Sequence, residues 1–183
     1  MASVVALAGR RIDAVGAERR FPLGNVPIVR ARIVEALKRL EVKSLVCSAA
    51  CGADLIALQV AIEQNIPRRI LLPFEPQKFR SSSVTDRPGN WGEIFDYVLE
   101  QTPSEDVVNL ELTNKDPNKN YSLVTREIVK QTSIIAKAAD LSPTTLLVWD
   151  SLPRHTGDAT QDMLEVSKSA GFEVHHIQTG DVS

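Results

Sequence analysis

The residues best suited to chemistry lie in three short turns, each of which follows an apolar run. The first turn is Gly9-Arg10-Arg11, after the run at residues 3–8. A glycine lets the backbone turn sharply or approach a ligand, and a guanidinium binds phosphate through two parallel hydrogen bonds. The turn therefore predicts a phosphate contact through Gly9 and Arg10. The alternative is a pair of solvated surface arginines.

The second turn joins an apolar run at residues 44–48 to a helix predicted over residues 53–64. The free N–H groups and partial positive charge at a helix N-terminus bind anions. The pattern is neither a Walker loop nor GxGxxG. Asp54 is interpreted as a helix cap or as a partner for a ribose hydroxyl. The predicted ligand-binding residues here are Ser48, Ala49, Ala50, Gly52, Ala53 and Asp54.

The third turn joins a strand predicted over residues 144–149 to a helix predicted over residues 157–169. It offers a second helix N-terminus, and two such termini facing one crevice suit a phosphorylated ligand. His155 is interpreted as a phosphate donor or, alternatively, as a solvated loop residue. The predicted ligand-binding residues in this turn are Asp150, Thr156, Gly157, Asp158 and Thr160.

The sequence evidence for a catalytic or a metal site is weaker than the evidence for ligand binding at these turns. The sequence has no Gly-x-Ser-x-Gly elbow, so no nucleophile is predicted and catalytic residues stay unassigned. Cys47 and Cys51 have a Cys-x-x-x-Cys spacing, but a structural zinc site needs four ligands and no second Cys or His pair follows at ligand spacing. We therefore expect no metal site, and we interpret the two cysteines as small residues that flank a tight turn.

The elements that position these turns alternate between strand and helix. This order predicts βαβ units in a three-layer, Rossmann-like α/β fold with a mostly parallel sheet, and the 183 residues predict a single domain over 1–183. Ligands of such sheets bind beyond the carboxyl ends of the strands. Residues 73–90 are predicted to be a long irregular connection, residues 107–112 a strand and residues 122–139 a helix.

Composition limits the classes of function. The 21 basic and 23 acidic residues give a net charge of −2, which disfavours coating of nucleic acid. The charge is uneven, with +5 in residues 1–45 and −7 in the remainder. No apolar stretch approaches the roughly 20 residues that span a bilayer, and no signal peptide is recognised. With only two cysteines, a reducing cytoplasm is the expected location.

Four stretches together resemble the SLOG superfamily, the Rossmann-like group named for Smf/DprA and LOG proteins, over nearly the whole chain. The closest resemblance is to SLOG-like domains of bacterial signalling proteins. The stretches are Gly9-Arg10-Arg11, residues 48–54, Leu72-Pro73-Phe74 with Phe79 and Ser83-Val84, and Val148-Trp149-Asp150 with residues 156–160. Their order and spacing carry the likeness, because each motif alone is short.

The resemblance implies a pocket for a nucleotide or nucleotide-derived anion at the carboxyl edge of the sheet, without a further cofactor, and a homo-oligomer. LOG enzymes cleave cytokinin riboside monophosphates, and their signature is Pro-Gly-Gly-x-Gly-Thr-x-x-Glu. This chain has only Thr156 to Thr160 there, without the glutamate in register. Ligand binding or sensing in bacterial signalling is therefore the leading expectation. An N-glycosidic hydrolase and a ligand-free protein-interaction module are the alternatives.

The DprA branch of the superfamily binds single-stranded DNA, which raises the question of nucleic acid as a partner. A near-neutral chain with 5% aromatic residues lacks the basic groove and stacking platforms of such proteins. The +5 charge of residues 1–45 is the feature that points the other way. We therefore expect a small nucleotide-like partner and no nucleic-acid partner.

Overall fold

Six parallel strands form one sheet in the computed structural model, which describes residues 1–181. The strands are β1 (Ser3–Gly9), β2 (Val42–Cys47), β3 (Arg68–Leu72), β4 (Val107–Asn109), β5 (Ser142–Trp149) and β6 (Glu173–Gln178). Their order across the sheet is β4-β3-β2-β1-β5-β6. The predicted parallel α/β sheet is therefore confirmed.

Six helices cover both faces of the sheet and make the three layers. The helices are α1 (Val26–Arg39), α2 (Ala53–Glu63), α3 (Pro76–Ser83), α4 (Trp91–Glu100), α5 (Pro117–Ala139) and α6 (Ala159–Ser169). Helices α1 to α4 contribute to one apolar core, and α5 and α6 contribute to the other. Two single 3-10 turns, Leu23–Asn25 and Ser104–Asp106, complete the regular structure of residues 1–181.

Strand β1 shows why the buried strands are continuously apolar in sequence. Successive side chains of a strand point to opposite faces. Val5 and Leu7 pack in the core with α1 and α2, whereas Val4 and Ala6 pack in the core with α5 and α6. All four side chains are fully buried. A strand covered on both faces cannot alternate polar and apolar residues.

The strand order reverses between β1 and β5. From β1 the chain builds outward through β2 and β3 to β4, and then returns to place β5 on the other side of β1. In open parallel sheets a ligand crevice forms at this switch point, outside the carboxyl ends of the strands. The first and third predicted turns follow these two neighbouring strands.

The prediction of an irregular connection over residues 73–90 was wrong in part, because this segment contains helix α3. Glu75 caps this helix by accepting a hydrogen bond from the Lys78 N–H (3.2 Å), and Pro76 occupies its first position. Proline at that position loses no helical hydrogen bond. The polar composition of the segment obscured this start signal.

Several element boundaries also differ from the prediction. Helix α5 begins at Pro117 instead of residue 122, because the Asp116 carboxylate accepts from the Asn118 N–H. Helix α6 begins at residue 159 instead of 157. Strand β4 ends at Asn109 instead of residue 112. Within residues 1–181, no helix combines the length and the apolarity that crossing a bilayer requires.

Candidate functional site

A cavity of about 210 Å³ lies beyond the carboxyl ends of β1 and β2, and α5 and the start of α6 form its other walls. Its volume is below the roughly 300–1,000 Å³ typical of drug-sized ligand sites. It therefore suits a small ligand or one end of a larger ligand. Its apolar wall consists of Leu7, Ala8, Val124, Ile128 and Met163, and its polar groups include Asp54, Ser83, Asn118, Tyr121 and Thr125.

The structure brings most of the predicted site residues to this cavity. Those that line it are Gly9, Arg10, Ser48, Ala50, Asp54, Gly157, Asp158 and Thr160. The other predicted residues lie outside the lining: Ala49 and Ala53 pack in the core, Asp150 is held in ion pairs, and Thr156 is exposed. Gly52 also lies outside it. The position of a residue does not test whether it binds a ligand, so these assignments stay predictions.

Packing within the protein accounts for Gly9 and Gly52, two of the three glycines that were predicted to bind a ligand. A Cβ atom at Gly9 would lie 2.4 Å from the Ala53 Cβ and 2.5 Å from the Val148 carbonyl oxygen. Gly52 has a φ of +94°, and a Cβ there would lie 2.7 Å from the Arg10 carbonyl oxygen. Glycine is therefore required so that the first turn and α2 can touch.

The Arg10 side chain points into the protein and is only 3% exposed. Its Nε donates to Asp150 (3.0 Å), its Nη1 to Asp158 (2.8 Å) and its Nη2 to the Leu152 carbonyl (2.6 Å). The guanidinium also lies 5.4 Å from the centre of the Trp149 ring. Burial acts to lower the pKa of Arg10, but the two carboxylates outweigh it and raise that pKa. Arg10 thus ties the third turn to the first.

Asp158 occupies the position that an anion would take at the start of α6. Its Oδ1 accepts from the N–H groups of Thr160 (3.0 Å) and Gln161 (3.1 Å), and its Oδ2 accepts from the Arg154 N–H (2.8 Å). Burial acts to raise the pKa of Asp158, but these bonds and Arg10 lower it below its usual value. The α6 N-terminus therefore already binds a carboxylate of its own chain.

The turn before α2 also satisfies much of its own backbone. The Ala53 N–H donates to the Arg10 carbonyl (3.1 Å), and the Cys51 N–H donates to the Ser83 carbonyl (3.1 Å). The Ala50 N–H donates to the Asp54 carboxylate (3.2 Å). These bonds hold the turn in place. They also leave fewer backbone N–H groups free to bind a ligand than the sequence predicted.

Asp54 lines the cavity as a buried carboxyl group. Burial raises its pKa to about 7, although the Ala50 N–H and the charge of Arg11 act in the opposite direction. The group therefore titrates near neutral pH, where it can donate or accept a proton. A titratable group with a strongly shifted pKa inside a cavity is a candidate functional residue.

Two arginines have no carboxylate partner among the described residues, and one of them is at the cavity. Arg154 lines the cavity and, like Arg87, forms no ion pair within residues 1–181. Burial lowers the pKa of Arg154. The positive charge of Arg10 lowers it further, as do those of Arg20 and Arg87, while the Asp158 carboxylate acts in the opposite direction. This part of the cavity therefore concentrates positive charge, which an anion would relieve.

Arg11 lines the cavity beside this positive charge and is paired with Asp86. The Nε atoms of Arg11 and Arg87 are buried and have no hydrogen-bond acceptor among the described residues. A buried donor without an acceptor costs about 1–3 kcal/mol. Arg87 was not among the predicted site residues, because it lies in the segment predicted to be irregular.

Side-chain packing leaves the cavity open to a ligand. The alternative of an interaction module without a ligand would gain support if side chains such as Phe74 or Trp149 filled this cavity. Phe74 instead packs near Phe79, and Trp149 stacks on His176 at a centroid separation of 6.0 Å. Neither ring lines the cavity. Residues 1–181 contain no group of three His, Cys, Asp or Glu side chains that could hold a metal ion.

A solved structure matches most of this chain, whereas family models and curated proteins do not. No protein-family model matches the chain, and no curated protein does either. Among solved structures, the X-ray structure of DNA processing protein A (DprA) from Streptococcus pneumoniae matches with 14% identity and a TM-score of 0.43. The match covers 94% of this chain but 58% of the DprA chain. A likeness at this level carries no argument about function.

Proposed function

We propose that the cavity binds a small, anionic, nucleotide-derived ligand. The observation that carries this proposal is the combination of an apolar wall, a buried carboxyl and arginines in one cavity beside the β1/β5 switch point. Nucleotides present complementary groups: a base with flat aromatic faces, a hydroxylated sugar and a charged phosphate. Switch points of parallel sheets are established positions for such ligands.

Each part of the ligand has a place in this proposal. The base packs against Val124, Ile128 and Met163, and a ribose hydroxyl donates to Asp54. The phosphate faces the arginine side of the cavity, because Asp158 already fills the anion position at the start of α6. We propose binding or sensing as the role, in a signalling protein, since the glutamate of the LOG signature is missing from residues 156–160.

A cavity-filling variant with a matched control tests the proposal. Ala159 lines the cavity and is exposed at the start of α6, whereas Ala170 is exposed at the other end of that helix. We expect at least one member of a panel of nucleotides and dinucleotides to raise the Tm of the wild type and of Ala170→Trp. Ala159→Trp should abolish that shift. Failure of the whole panel on the wild type would contradict the proposal.

A second candidate function is hydrolysis of an N-glycosidic bond, and the pKa of Asp54 favours it. A carboxyl with a pKa of about 7 is partly protonated at neutral pH and can protonate a leaving base. In this reaction water adds its oxygen to the sugar C1′, the C1′–N bond breaks, and the base leaves with a proton. Chromatography after long incubation with nucleoside monophosphates tests it. Absence of free base would exclude hydrolysis of the monophosphates tested.

A further inference from the structure

Two buried guanidinium nitrogens, one of them on the cavity-lining Arg11, lack hydrogen-bond acceptors among residues 1–181. They are the Nε atoms of Arg11, directly after β1, and of Arg87, between α3 and α4. An arginine Nε always carries a proton and can only donate. Unmade hydrogen bonds in a buried place are unfavourable, so the described residues do not fully satisfy these two guanidinium groups.

The charges around these nitrogens are also unbalanced. Arg10 and Arg20 are paired with Asp150 and Asp158, and Arg11 is paired with Asp86. Arg87 and Arg154 have no carboxylate partner within residues 1–181, and the positive charge of Arg87 lowers the pKa of Arg154. Arg87 directly follows Asp86, the ion-pair partner of the cavity-lining Arg11. Two positive charges therefore remain to be neutralised beside the cavity.

We propose that Arg11, Arg87 and Arg154 form a subsite for a dianionic phosphate, as found in a phosphate monoester. This inference rests on the proposed function, because it assigns the charged end of the same ligand. Two unpaired cations match the two negative charges of a monoester, whereas a cyclic phosphodiester carries only one. Arg11 and Arg154 line the cavity, so their guanidinium groups are placed to supply donors for its oxygens.

Inorganic phosphate tests the subsite without any assumption about the base or the sugar. We expect phosphate to raise the Tm of the wild type more than acetate does at the same ionic strength. The double variant Arg87→Ala/Arg154→Ala should lose this difference. The control Arg39→Ala/Arg126→Ala removes the same charge from exposed positions and should keep it. Equal effects of phosphate and acetate on the wild type would overturn the subsite.

Titration with adenosine, its 5′-monophosphate and its 3′,5′-cyclic monophosphate separates this inference from the proposed function. We expect the monophosphate to bind about tenfold or more tightly than the cyclic form, and the Arg87/Arg154 double variant to remove that advantage. If adenosine and both nucleotides bind equally, the subsite is wrong and the cavity proposal stands. If phosphate binds at the arginines and neither these adenine compounds nor any member of the nucleotide panel raises the Tm, the subsite stands and the nucleotide assignment is wrong.

Discussion

Arg10 and Asp158 are 148 positions apart in sequence, and their side chains are joined by a hydrogen bond of 2.8 Å. The bond connects the turn after β1 with the residue that caps α6. Because β1 and β5 are neighbours, these two turns form opposite sides of one crevice. The ion pair therefore fixes the geometry of the cavity, and the arginine that best matched a phosphate anchor in sequence is engaged within the protein.

Substitution of Arg10 should destabilise the fold. Arg10→Ala leaves Asp158 without its ion-pair partner and Asp150 with Arg20 alone, in a place where both carboxylates are mostly buried. Loss of one partner of a buried ion pair costs about 3–5 kcal/mol. Urea unfolding of the wild type and the variant measures this free energy. The control Arg39→Ala, at an exposed position, should change stability by less than about 0.5 kcal/mol. A similarly small change for Arg10→Ala would contradict the structural role.

Alanine substitutions at Gly9 and Gly24 give a second pair of test and control variants. Gly9→Ala places a Cβ atom 2.4 Å from the Ala53 Cβ, whereas a Cβ atom at Gly24 meets nothing within 4 Å. Overpacking of a core typically costs about 1–3 kcal/mol, so Gly9→Ala should lower the free energy of unfolding by at least that amount. Gly24→Ala should be nearly neutral. Equal stability of the two variants in thermal unfolding would show that the first turn and α2 are not in this contact.

Asp54 should make stability depend on pH in a direction opposite to that of most carboxylates. Its pKa is about 7 in the folded protein and 3.8 in the unfolded chain. Between these pH values the folded state holds a proton that the unfolded state has released. The free energy of unfolding therefore falls as pH rises from about 4 to 7.

Asp54→Asn removes this titration and keeps an oxygen for the Ala50 N–H. The variant should be more stable than the wild type above pH 7, by up to about 4 kcal/mol, and the difference should shrink toward pH 4. Urea unfolding across this pH range measures it. The exposed control Glu100→Gln should follow the wild-type curve. Parallel curves for the wild type and Asp54→Asn would contradict a buried, titrating Asp54.

The sheet could be predicted because each strand carries its own local signal. Residues 144–149 are apolar and rich in β-branched side chains, and this segment is buried in β5. Helix α3 was missed because three consecutive serines concealed a short helix whose buried side chains are only Phe79 and Ser83. Its signal was the Glu75-Pro76 pair, a capping side chain followed by proline at the first helical position.

The location of the site could also be predicted, but the partners of its charges could not. Strand ends and small residues pointed to the turns after β1, β2 and β5, and the cavity lies beside these turns. Whether Arg10 faces a ligand or a carboxylate depends on residues about 140 positions away, which no local pattern encodes. Asn25 shows the same limit. Asparagine directly before a helix is typical of an N-cap, but the Asn25 side-chain amide donates to the Thr179 carbonyl and does not cap α1.

Mass spectrometry of small molecules that co-purify with the native protein tests the central claim most directly. The wild type and Ala170→Trp should both release a phosphorus-containing, nucleotide-derived anion on denaturation, and Ala159→Trp should release none. Release of the same compound from Ala159→Trp would place the binding site elsewhere. If the wild type releases no such compound and no added nucleotide raises its Tm, the cavity is not a nucleotide site.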